Sequence, residues 1–124
     1  MKLRIKDNSL RIRLSRTEVQ YLAENGVVEA STPFADAEFR YAVHALADIA
    51  ELQARITPYS IELLVPAERV RRWPQNDEVG FRSTLPLPGK RELKLLLEKD
   101  FVCLDDTEED QSDNYDNPNA KCIP

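Results

Sequence analysis

Positions 2–14 read KLRIKDNSLRIRL, so that apolar and basic residues alternate on both sides of Asp7-Asn8-Ser9. Alternation with a period of two is typical of a strand with one buried face. Asp and Asn favour turns because their side chains bond the local backbone and tolerate left-handed conformations. The stretch therefore predicts a β-hairpin with one apolar face and one basic face.

A short helix is expected directly after this hairpin. Ser15 and Glu18 have the spacing of a capping box, in which each side chain satisfies a backbone N–H of the first turn. Apolar residues recur behind them at helical spacing, and Gly26 is placed to end the helix. We predict a helix over residues 16–25.

Strand patterns dominate the following part of the chain, which shows no internal sequence repeat. Alternation, or clusters of aromatic and β-branched residues, predict strands at 27–31, 38–45, 52–56, 61–65, 79–84 and 92–97. Residues 36–52 also fit a helix with one apolar face, and we favour the strand because aromatic and β-branched residues cluster there. Pro66 suits the first turn of a second short helix that ends near Trp73. We expect an α+β fold with about seven to eight short strands and two short helices. The sheet is expected to be largely antiparallel, and curled or barrel-like.

Charge is segregated along the chain. The first sixteen residues hold six bases and one acid, the last twenty-five hold eight acids and one base, and the net charge is −5 at pH 7. Apolar residues almost vanish from Asp105 onward, which predicts a single domain over residues 1–104 and an acidic C-terminal tail over residues 105–124. No apolar run approaches the roughly 18 residues of a membrane span, and the first residues lack the apolar region of a signal peptide. We therefore expect a cytoplasmic protein that does not bind membranes.

The basic face of the first hairpin is the main candidate site. Arg4, Lys6, Arg11 and Arg13 share this face, and arginine forms bidentate hydrogen bonds with anionic oxygens. Three interpretations stay open: a face that is solvated or whose bases pair with acids from neighbouring strands, a seat for the acidic tail of the same chain, or a site for an external anion or nucleic acid. The pI of about 4.9 and the scarcity of aromatic residues weigh against nucleic acid.

Two further groups are candidate binding residues. Trp73 beside Arg72 predicts a partner-binding patch if the ring is exposed, and a covered core edge if it is buried. In the tail, Glu109, Asp110 and Asp113 offer the oxygen ligands that divalent cations prefer. Their spacing matches no EF-hand loop, so a solvated acidic tail is the alternative.

The remaining chemistry-bearing residues predict neither a cofactor nor a catalytic centre. Cys103 and Cys122 are either two reduced thiols or a bridge that closes the acidic segment. His44 is the one histidine, and no serine lies in a nucleophile motif. Gly-rich phosphate loops and the paired cysteines of a zinc site are absent from the sequence.

Taken as a whole, the chain resembles a family of short bacterial proteins of unknown function. The resemblance rests on the opening at 1–14, on Glu78-Val79-Gly80, on Lys99-Asp100-Phe101-Val102-Cys103-Leu104 and on Glu109-Asp110-Gln111-Ser112-Asp113. It implies no activity, but it implies that the acidic ending is a defined feature of the family.

These observations favour a non-enzymatic cytoplasmic domain that acts by binding or regulation. Its partner is expected to be a protein or a small anionic ligand, and the tail is expected to lie over the basic hairpin in the free protein. The alternative is a phosphate- or nucleotide-processing enzyme that uses arginines and a divalent ion. A third hypothesis is an assembly partner that uses Trp73 or an uncovered edge strand.

Overall fold

The chain folds as two hairpin–helix–hairpin units that follow each other in sequence. A computed structural model describes residues 1–101 and 113–115. The elements are β1 (Lys2–Lys6), β2 (Ser9–Leu14), α1 (Arg16–Asn25), β3 (Val27–Pro33), β4 (Glu38–Leu46), β5 (Gln53–Thr57), β6 (Ser60–Pro66), α2 (Ala67–Arg71), β7 (Gly80–Leu87) and β8 (Arg91–Lys99). A 3₁₀ turn over Trp73–Gln75 follows α2.

Each unit gives one hairpin to each of two four-stranded sheets. The strand order is β1-β2-β8-β7 in the first sheet and β3-β4-β6-β5 in the second. The hairpin partners are antiparallel, but the central pairs β2/β8 and β4/β6 are parallel. The order hairpin, helix, hairpin therefore occurs twice in the chain, although the sequence shows no internal repeat.

The α+β class, with eight strands and two short helices, is confirmed. The expected largely antiparallel, barrel-like sheet is wrong, because the structure has two open sheets of mixed direction. Local turn signals predict hairpins, and hairpins are antiparallel. The central pairings join hairpins that are distant in sequence, so no local signal specifies their direction.

One core joins the apolar faces of both sheets and the inner sides of the helices, which explains why the sheets stack and do not close. Its fully buried members are Ile12, Leu14, Val19, Leu22, Val43, Leu52, Leu63, Val65, Trp73 and Leu97. We call the opposite face of each sheet its outer face.

Helix α1 has the ends that the sequence predicts. The Ser15 side chain accepts from the Glu18 N–H, the Glu18 side chain accepts from the Ser15 N–H, and Gly26 adopts a left-handed φ of 79°. With 10 residues it is the longest helix in the described part of the chain, where no helix has the length and apolar character to cross a membrane.

Candidate anion-binding site

The outer face of the first sheet brings together basic residues from all four strands. Aligned residues on neighbouring strands project to the same side, so the register defines rows across the sheet. One row contains Arg4, Arg11, Leu96 and Arg82, and the next contains Lys6, Ser9, Lys94 and Thr84.

An open cavity of about 800 Å³ lies over these two rows, and we call it the basic cavity. The bases that line it are Arg4, Lys6, Arg11, Arg82 and Lys94. Ser9 and Thr84 add hydroxyl groups, and none of the described residues that line the cavity is acidic. The surface is therefore rich in hydrogen-bond donors and positive in charge.

Arg11 lies at the centre of this positive field. It is directly opposite Arg4 on the neighbouring strand, an arrangement that destabilises a sheet when both residues carry the same charge. Burial lowers the pKa of Arg11, and the charges of Arg13 and Arg4 lower it further, while Glu98 opposes them.

Among the described residues, Glu98 is the acid that forms ion pairs with Arg11, and it lies between two arginines. Its Oε1 atom is 3.8 Å from Nη1 of Arg11 and 3.7 Å from Nε of Arg13. These distances are ion-pair distances and are too long for hydrogen bonds. Arg13 belongs to the row of Glu98 and does not line the basic cavity.

Three of the four predicted anion-binding residues thus line one cavity, and Arg13 lies beside it. Sequence reasoning missed Arg82 and Lys94. Alternation over 92–97 placed Lys94 on the polar face of its strand. The pairing that carries β8 and β7 next to the first hairpin was not visible in the sequence.

The outer face of the second sheet provides an internal comparison, because its bases are paired with acids. Arg40 Nη2 lies 2.6 Å from Glu29 Oε2, and Arg55 Nη2 lies 2.7 Å from Glu62 Oε2. His44 Nε2 lies 3.5 Å from the same Glu62 oxygen. Each arginine of this pair of contacts therefore has a carboxylate partner on the same face.

The described part of the acidic ending docks at the start of α1. The N–H of Arg16 donates to the carbonyl of Asp113 at 2.9 Å, and the Thr17 hydroxyl donates to Asp113 Oδ1 at 2.9 Å. The N–H of Tyr115 donates to the carbonyl of Asp100 at 2.7 Å. Residues 113–115 therefore pack on the domain. The domain boundary at residue 104 and the position of the acidic tail over the basic hairpin stay predictions.

The predicted metal ligands are only partly within the described residues. The carboxylate of Asp113 is hydrogen-bonded to Thr17, whereas Glu109 and Asp110 lie outside the described residues. Cys103 and Cys122 also lie outside them. Within residues 1–101 and 113–115, no three His, Cys, Asp or Glu side chains are grouped as a metal site.

Trp73 is buried, with an exposed fraction of 0%. Its Nε1–H donates to the carbonyl of Glu78 at 2.8 Å, and its ring centroid lies 4.9 Å from that of Phe81. Arg72 beside it is exposed. A partner would reach the ring only after this region opened, and the partner-binding role of Trp73 and Arg72 stays a prediction.

Comparison with known proteins places the chain in a family without an assigned activity. The model of a family described as "Family of unknown function (DUF7009)" matches residues 1–119. No curated protein and no solved structure matches the chain. The predicted resemblance to a family of unknown function is thereby confirmed, and the chain belongs to the DUF7009 family.

Proposed function

We propose that this protein is a non-enzymatic cytoplasmic domain that binds a small, multiply charged anion in the basic cavity. The observation that carries the proposal is the concentration of five bases in one cavity with no acidic residue in its described lining. On the outer face of the second sheet, by comparison, Arg40 and Arg55 each lie within 2.7 Å of a glutamate oxygen.

The geometry of the donors favours a phosphate-rich ligand. Arg4, Arg11 and Arg82 project from three strands along one row, and guanidinium groups match phosphate oxygens through paired hydrogen bonds. Lys6 and Lys94 lie in the next row and supply point charges. A ligand with two or three linked phosphates would extend over both rows.

The size and the composition of the cavity favour a small molecule over nucleic acid. About 800 Å³ falls within the range of roughly 300–1,000 Å³ that is typical of small-molecule sites. The described lining contains no aromatic ring on which a base would stack. The net charge of −5 also opposes the approach of a long polyanion.

Titration calorimetry of inorganic pyrophosphate and tripolyphosphate into the full chain at about 0.15 M salt tests the proposal. We expect saturable binding at one site, and a loss of affinity of about tenfold in R82Q, because a charge-assisted hydrogen bond is removed. The matched control is R55Q, which removes the same charge from the outer face of the second sheet. Undetectable binding by the unmodified chain would contradict the proposal, and so would an equal loss in R55Q.

A phosphate- or nucleotide-processing enzyme stays the alternative prediction. Such an enzyme would need carboxylates that hold a divalent ion near the cavity. The same titration with and without magnesium separates the two functions. Binding that is independent of magnesium supports the binding domain, and binding that requires magnesium supports the enzyme.

A further inference from the structure

A second cavity lies where the end of β8 meets the start of α1 and the turn after α2. Its volume is about 440 Å³, and we call it the junction cavity. Lys99, Tyr115 and Arg16 line it together with Asp77. None of these residues lines the basic cavity, so the two sites are independent.

Lys99 is a buried cation, with an exposed fraction of only 4%. Its Nζ donates to the carbonyl of Asn76 at 2.7 Å and lies over the rings of Trp73 and Tyr115, 5.7 Å and 4.7 Å from their centroids. No carboxylate of the described chain lies within ion-pair distance of this nitrogen. A buried charge without an ionic partner is costly, and here one carbonyl and two rings offset the cost only in part.

The Lys99 ammonium therefore has unused capacity to bind an anion. Burial lowers the pKa of Lys99, and Asp77 opposes this shift through its charge. An ammonium group has three donors, of which the Asn76 carbonyl takes one.

Tyr115 supplies a second donor without an acceptor. The residue is 8% exposed, and its hydroxyl is buried with no hydrogen-bond partner in the described part of the protein. The guanidinium of Arg16 stacks on its ring at 4.7 Å, and the ring of Phe101 packs edge-on at 5.7 Å. Burial raises the pKa of Tyr115, so the phenol stays protonated at neutral pH. Buried hydroxyl groups without a partner are rare, and Tyr115 is also one of the residues that line the junction cavity.

We propose that the junction cavity binds a small organic carboxylate, whose oxygens accept hydrogen bonds from the Tyr115 hydroxyl and the Lys99 ammonium. Among the described residues of the lining, the two bases and Asp77 leave a single excess positive charge, which matches a monoanion better than a phosphate dianion. Pro74 and Val79 line the same cavity and provide apolar surface for the organic part of the ligand.

The single tryptophan of the chain makes the test direct. The ring of Trp73 is 5.7 Å from the Lys99 nitrogen, so its fluorescence reports on the junction cavity. The probe is cyclohexanecarboxylate, which does not absorb at the excitation wavelength, and the matched neutral probe is cyclohexanecarboxamide. We expect a saturable response to the carboxylate at constant ionic strength, and no saturable response to the amide or to inorganic phosphate.

The variant Y115F removes the hydroxyl and keeps the ring. It should weaken carboxylate binding by about tenfold, as expected for a hydrogen bond to a charged group. Y59F is the matched control, because Tyr59 is 64% exposed and is not among the described residues that line the cavity. Equal binding by Y115F and the unmodified chain would overturn the proposal, as would an equal response to phosphate.

A measurement without ligand gives a separate check on the premise. If the hydroxyl has no partner, Y115F should be as stable as the unmodified chain or more stable, since no hydrogen bond is lost. A clear destabilisation of unliganded Y115F would show that the hydroxyl is already satisfied within the protein, and it would remove the basis for the ligand.

Discussion

The variant Y115A tests whether the acidic ending is part of the folded domain. Composition assigns this residue to the tail, but the residue is only 8% exposed and its ring packs between Phe101, Arg16 and Lys99. Truncation of a buried aromatic ring to alanine costs about 3–5 kcal/mol. The matched control is Y59A, at a residue that is 64% exposed.

The expected magnitude follows from the contacts of residues 113–115. If the segment detaches, its hydrogen bonds to Arg16, Thr17 and Asp100 are lost at about 0.5–1.5 kcal/mol each. Each released residue regains about 1–2 kcal/mol of backbone conformational entropy. This gain roughly cancels the loss of the hydrogen bonds. The ring then dominates, so the free energy of unfolding should fall by about 3 kcal/mol.

Urea unfolding followed by circular dichroism measures this change, and the melting temperature should fall by about 10 °C. Y59A should stay within about 0.5 kcal/mol of the unmodified chain. The reasoning is refuted if Y115A also stays within about 0.5 kcal/mol, because the segment would then contribute nothing to the fold.

Three further predictions concern pH, backbone packing and charge. Hydrogen bonds from Ser15 and Thr17 lower the pKa of Asp113 below its usual value near 4, so its stabilisation is present above that pH and lost as pH falls through the lowered pKa; in urea unfolding, D113N should be less stable than the unmodified chain at pH 6, and the difference should shrink as pH falls below 4. In thermal melts, G80A should cost more than G26A, because a Cβ at Gly80 collides with the backbone of β8 whereas Gly26 has open space and only a left-handed φ. R4Q should raise the stability of the unliganded protein by a few tenths of a kcal/mol at low salt, because Arg4 lies directly opposite Arg11 and like charges in opposite positions destabilise a sheet. The same variant should weaken pyrophosphate binding, because it removes one of the bases that line the basic cavity; loss of stability in R4Q at low salt would contradict this.

Local signals predicted the local structure well. The capping pair Ser15 and Glu18 and the terminating Gly26 define α1 at both ends. Alternation over 2–14 defines the first hairpin, and the observed register places its basic residues on the outer face. In each case the interactions lie within one turn or one hairpin, so their pattern is contained in a short window of sequence.

The candidate site depends on contacts that no short window contains. Arg11 and Arg82 share a row only because β2 pairs with β8, and these strands are separated by most of the chain. That pairing depends on the packing of the shared core, in which Ile12 and Leu97 are fully buried. Composition averaged over residues 105–124 predicted an acidic tail outside the domain. Tyr115 is the one aromatic residue of the sequence after position 104, and this residue was the sign that part of the ending packs on the domain.

The most direct test of the anion-binding account is a two-dimensional ¹H–¹⁵N NMR titration of the full chain with pyrophosphate. We expect saturable shifts in the backbone amides of β1, β2, β7 and β8 around the basic cavity, while the amides of β3 to β6 stay unchanged. Shifts that do not saturate, or shifts of equal size on the second sheet, would contradict the account.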